Sequence, residues 1–73
     1  MPSAEMRVCL RALADATGPL TVFELVSRTG LAPAAAERAA AQLARDHLAA
    51  ARRRDTDGRP VVSITTAGRA ALT

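Results

Sequence analysis

A capping box followed at short spacing by a glycine and a proline is the feature that most constrains this chain. Thr21-Val22-Phe23-Glu24 sets a hydroxyl and a carboxylate three residues apart. Thr21 can accept from the amide of residue 24 while Glu24 reaches back to the Thr21 amide. Leu20 and Leu25 stand on either side at the positions of a hydrophobic staple. Gly30 then supplies a left-handed turn. Pro33 suits the first turn of a new helix, where its missing N–H has no partner to lose. The pattern predicts two short helices, residues 22–29 and 33–46, joined by a tight turn: a helix-turn-helix.

The flanking segments extend this unit. After Met1 and Pro2, Ser3 can cap a first helix over residues 4–16, with Met6, Cys9, Leu10, Leu13 and Ala16 recurring at helical spacing on one face. Thr17-Gly18-Pro19 ends it, with Gly18 able to turn left-handed. Val22, Leu25, Val26 and Thr29 form the inward stripe of the second helix, and Ala36, Ala39, Ala40 and Leu43 that of the third. His47 stands where glycine usually ends such a helix, so a positive φ is expected there. A strand over residues 49–54, a turn marked by Asp55-Thr56-Asp57-Gly58-Arg59-Pro60 and a return strand over 61–64 make a hairpin, with Val62 and Ile64 on one face. Leu20 and Thr21 can add a short third strand. Thr65 or Thr66 can cap a last helix over 67–72. The expected fold is mainly α with a small antiparallel β-hairpin wing, a winged helix-turn-helix in a single domain spanning residues 1–73.

Charge is distributed unevenly along this framework. In residues 1–46 five Arg balance five acids, whereas residues 47–73 hold Arg52, Arg53, Arg54, Arg59 and Arg69 against Asp55 and Asp57, which accounts for the whole net charge of +3. A basic hairpin beside a neutral body suits contact with phosphates. Phe23 is the one aromatic residue, so the core must be built from a few Leu, Val, Ile and Met with Ala between them. In so small a core Phe23 is expected to fold back over the first or third helix, with an exposed contact residue as the alternative. Cys9 is alone, which excludes an intramolecular disulfide and points to an intracellular chain with an inert, buried thiol. The apolar runs are too short to span a bilayer, and no signal peptide is expected. No set of side chains at catalytic or metal-ligand spacing is present, so neither an enzyme nor a metal or other cofactor is expected.

Gly18-Pro19-Leu20-Thr21, Glu24-Leu25, Arg28, Gly30-Leu31, Leu43, Asp46, Leu48, Arg52-Arg53-Arg54-Asp55, Asp57-Gly58-Arg59, Ile64-Thr65 and Gly68-Arg69 together resemble the MarR-type bacterial transcription regulators over residues 8–72. The resemblance implies a cytoplasmic, nucleoid-associated homodimer on double-stranded DNA. It sets the third helix in the major groove and the wing arginine in the minor groove. Carried onto this chain, the DNA-facing candidates are Thr21, Ala34, Ala35, Glu37, Arg38, Gln42, Arg53, Arg54 and Arg59, with Asp57 bracing Arg59. Met6, Val8, Leu10 and Phe23 are the candidates for a dimer or partner surface. The long terminal helices that make the dimer in MarR-type regulators have no counterpart in residues 1–73, which fits either a short regulator or a fragment of a longer one. The third helix opens on Ala32-Pro33-Ala34-Ala35-Ala36 rather than on the polar residues usual there. That alanine face supports a second reading, a winged helix used for protein contact that no longer reads DNA.

Overall fold

The computed structural model describes residues 3–72; Met1, Pro2 and Thr73 lie outside them. The elements run α1 (Ala4–Asp15), β1 (Leu20–Thr21), α2 (Val22–Thr29), α3 (Pro33–Arg45), β2 (Ala49–Arg53), β3 (Pro60–Ile64) and α4 (Thr66–Ala71). Three helices pack on one another, and a three-stranded antiparallel sheet of order β1-β3-β2 closes one side, which is a winged helix-turn-helix. Differences from the sequence expectation are of one residue at element ends: α1, α3 and β2 stop one earlier, β3 starts at Pro60, and α4 is displaced by one.

Local chemistry accounts for the ends. The Ser3 hydroxyl accepts from the Met6 amide and starts α1. For α2 the capping box is complete: the Glu24 amide donates to Thr21 Oγ1 at 3.1 Å, and the Thr21 amide donates to Glu24 Oε1 at 2.9 Å. Gly30, at φ 74°, closes α2 with its amide donating to the Val26 carbonyl. His47 does take a left-handed backbone, φ 61°, the one non-glycine residue to do so among those described. Its carbonyl accepts from Thr65 Oγ1 at 2.7 Å, which ties the end of α3 to the start of α4. Gly18 is a correction: it is not left-handed, and α1 instead ends on an extended Ala16.

Alanine decides the packing. Ala35, Ala36, Ala39, Ala40 and Leu43 of α3 are buried, and the last three share one core cluster with Met6, Cys9, Leu10 and Leu13 of α1. Leu25 of α2 and Leu20, Ala49 and Val62 of the sheet complete the core. Small side chains let the helix backbones approach closely, so apolar contact is reached with little area per residue. Burial raises the Cys9 thiol above its ordinary pKa, with nearby Glu5 adding to the effect, so the thiolate is disfavoured. No helix among the described residues is long and apolar enough to cross a membrane.

Candidate nucleic-acid interface

Two surfaces carry the candidate residues. The first is the outer face of α3. Ala34, Glu37, Arg38, Ala41, Gln42 and Arg45 are exposed along it, at the three- and four-residue spacing of one helix side. Gln42 Nε2 donates to Asp46 Oδ1 at 3.1 Å, so this amide is partly occupied within the helix. At the start of α3, Ala32 offers no side-chain cap and Pro33 has no N–H. The amides of Ala34 and Ala35 therefore have no partner within the helix, and the helix dipole leaves positive potential there.

The second surface is the wing. The Arg54 amide donates to the Arg59 carbonyl and the Gly58 amide to the Arg54 carbonyl, both at 2.8 Å, which closes the turn. Asp57 is its centre. It accepts from Arg54 Nη2 at 2.6 Å and Nε at 3.1 Å, and from the Arg59 amide at 3.1 Å. Those hydrogen bonds, Arg54 first, hold the Asp57 carboxyl at a pKa of about 2 against an ordinary 3.8. Arg53 Nη1 donates to the Gly58 carbonyl at 3.0 Å. The Arg59 side chain is left 68% exposed, with its Nε 3.9 Å from Asp57. Asp57 thus holds the backbone at Arg59 while leaving most of the guanidinium to solvent.

The structure separates the candidates drawn from the sequence. Ala34, Glu37, Arg38, Gln42, Arg53, Arg54, Asp57 and Arg59 all lie on the α3 or wing surface. Ala35 does not: it is buried against the core, because helical periodicity turns it inward with Ala39. Thr21 is 7% exposed and its hydroxyl is committed to the cap, so it is a structural residue rather than a DNA contact. Met6 and Leu10 are buried in the protein's own core and offer no surface to a second copy, whereas Val8, one helical face away, is 42% exposed. Phe23 does not fold back; it is 77% exposed. The arginine run alternates faces along its strand, as consecutive strand residues must. The register separates it: Arg52 is opposite Val61 and Arg53 opposite Pro60. Arg54 is the member that pairs with an acid. Among the described residues no cluster of His, Cys, Asp and Glu could hold a metal.

The IclR helix-turn-helix domain matches the chain over residues 9–53, from α1 to the end of β2. No curated protein sequence matches the chain. Among solved structures, BpsR of Bordetella bronchiseptica, a protein whose DNA binding is regulated by 6-hydroxynicotinic acid, is similar with a TM-score of 0.90 and 27% identity, over 96% of this chain and 50% of that one. A probable transcriptional regulator from Pseudomonas aeruginosa is similar with a TM-score of 0.87 and 28% identity, over 96% and 53%. A MarR family transcriptional regulator from Silicibacter pomeroyi reaches 0.79 and 32%, over 97% and 47%. The chain therefore spans about half the length of these regulators. The likeness to MarR-type proteins is one of solved structures, and the domain that matches by sequence is that of IclR.

Proposed function

The chain belongs to the IclR helix-turn-helix domain family and is a DNA-binding module of the transcription-regulator type, and from that premise we propose that it acts as a bacterial regulator working as a homodimer on the nucleoid, docked in the manner of MarR-type proteins. In this reading α3 lies in the major groove. Arg38, Gln42 and Arg45 reach bases or phosphates, Glu37 accepts from a cytosine amine, and Ala34 touches a thymine methyl. The small side chains at the start of α3 let the Ala34 and Ala35 amides come close to a backbone phosphate. Arg59 enters the minor groove, where a narrow A/T tract is most negative.

The observation that carries this reading is the wing. The hairpin holds four of the five arginines that follow His47 against two aspartates, and its tip is braced by Asp57, with the Arg59 guanidinium held out. One copy offers few groups to the phosphates, and a two-fold pair doubles them over a pseudo-palindrome. The exposed face of α1 around Val8 is the surface available for that pairing. The protein-contact reading is not favoured. The matching domain and the similar structures are those of transcription regulators, and Ala35 is absent from the apolar face that reading needs.

Arg59→Ala tests the proposal. It is expected to weaken binding to duplexes of every sequence and to lower the slope of log affinity against log salt by about 0.9 for each phosphate that Arg59 neutralises. Unchanged affinity removes the wing from the mechanism.

A further inference from the structure

Val8 and Phe23 are the large apolar side chains left exposed among the described residues. Val8 stands on the outer side of α1, with Ala4, Glu5 and Arg11 exposed around it and Ala12 half-buried. This side of α1 borders an open trough of about 450 Å³, which Arg28 lines from α2 and Leu72 from the end of α4. Neither Glu5 nor Arg11 has an ion pair or a side-chain hydrogen bond with a described residue. Within the helix Arg11 has poor choices. Arg7, four residues before it, is a like charge, and Asp15, four residues after it, gives the weaker order of base before acid.

The face is self-complementary. Glu5 precedes Val8 by three residues and Arg11 follows it by three; Ala4 precedes it by four and Ala12 follows by four. Positions three and four apart lie on one side of a helix. If two copies of α1 cross antiparallel with Val8 on the two-fold axis, each residue meets the one equally far from Val8 in the other direction. Glu5 then meets Arg11 of the second copy, Arg11 meets its Glu5, and Ala4 meets its Ala12. A parallel crossing would instead set Glu5 against Glu5 and Arg11 against Arg11.

We propose that this face binds a second copy of the chain, through an antiparallel α1–α1 contact centred on Val8 and closed by two Glu5–Arg11 ion pairs. Such a contact is isologous, as a two-fold pair requires. The alanines on either side of Val8 let the helices approach closely. The inference rests on the homodimer proposed above and names the face, the register and the charges that hold it. An α1 of 12 residues is about 18 Å long. One side of it falls short of the roughly 800 Å² per partner of a standard interface. The pair is therefore weak in free solution, and a duplex that holds two copies side by side strengthens it.

Sedimentation equilibrium of the full chain, from micromolar to millimolar concentration, tests this. Glu5→Arg and Arg11→Glu each set like charges face to face in a pair of identical copies. Each is expected to weaken self-association about 4–25-fold, from two ion pairs at about 2–5-fold apiece. Mixed in equal amounts, the two variants face opposite charges at both positions, and should associate as tightly as the parent. The double variant Glu5→Arg/Arg11→Glu should recover in the same way, which a variant that merely disturbs α1 would not. Val8→Arg, at an exposed position, sets two cations on the axis and should abolish the pair. If the parent dimerises and Glu5→Arg, Arg11→Glu and Val8→Arg all match it, another face makes the dimer; this pairing is overturned and the homodimer stands. A parent that stays monomeric at millimolar concentration leaves the face to a different protein, and overturns both the pairing and the homodimer. DNA binding is judged apart from either, by Arg59→Ala.

Discussion

Gly68 gives the sharpest test of how α4 is held, because two effects oppose each other there. As a residue inside a helix, Gly68→Ala would stabilise α4 by about 1 kcal/mol through helix propensity. The tertiary surroundings predict the reverse. A Cβ on Gly68 would run into the Leu48 carbonyl oxygen, and would lie 2.8 Å from Ile64 Cγ1 and 3.1 Å from the Leu48 carbonyl carbon. Two of these three atoms are backbone and cannot rotate away. Overpacking of this kind costs about 1–3 kcal/mol, and a backbone clash belongs at the upper end. Relief by moving α4 outward would also stretch the Thr65 hydrogen bonds to the His47 carbonyl at 2.7 Å and from the Gly68 amide at 3.0 Å. The net expectation is a loss of about 2 kcal/mol. That is a large share of the ~4–11 kcal/mol open to a chain of this size, and lowers Tm by about 8–16 °C. Thermal and urea unfolding followed by circular dichroism measure it. Gly18→Ala is the control, since nothing lies within 4 Å of its added Cβ and its backbone is not left-handed. It should be neutral or stabilising by about 0.4–1 kcal/mol. If Gly68→Ala is as stable as the parent, α4 does not press on the His47–Leu48 corner and the reasoning is wrong.

Thr21→Ala removes one half of the capping box on a 7% exposed residue, and is expected to cost about 1 kcal/mol. A midpoint of urea unfolding equal to the parent's would show that the cap contributes nothing. The Asp57 pKa is lowered on folding, from 3.8 to about 2. Its contribution to the wing is therefore complete above about 4, and is lost as pH falls toward 2. The Arg59 amide proton, which donates to Asp57, should titrate by NMR with a midpoint near 2. A midpoint close to 3.8 would mean that the brace does not form in solution.

Much of the fold is legible from local chemistry. Thr21 and Glu24 announce α2 because both hydrogen bonds of the box lie within four residues. His47 in the glycine position foretells a positive φ, and the pair Thr65-Thr66 foretells a cap, which Thr65 supplies. The wing tip is equally local, since Asp57 reaches its partners Arg54 and Arg59 within three residues. Errors fall where a residue type does not say which way it faces. Ala34 and Ala35 are chemically identical, and only the side of α3 that each occupies in the packed fold leaves the first exposed and the second buried. Met6 and Leu10 suit a dimer surface as well as a core until the other helices occupy that face. Phe23 is large and apolar, yet the fold leaves no cavity for it. Alternation along a strand already divides the three consecutive arginines, but nothing in their side chains marks Arg54 as the one that pairs with an acid.

The sequence by itself determined where each element starts and stops to within one residue, the clustering of positive charge after His47, and the braced turn that presents Arg59. These depend on groups a few residues apart, which meet in any arrangement of the chain. Tertiary structure alone decided that Ala35 is buried along with the inward alanines of α3, that α4 docks through a glycine against Leu48, and that Arg52 lies across the sheet from Val61. Those outcomes depend on atoms brought together from distant parts of the chain, and an alanine or an arginine carries no mark of its neighbours until packing supplies them.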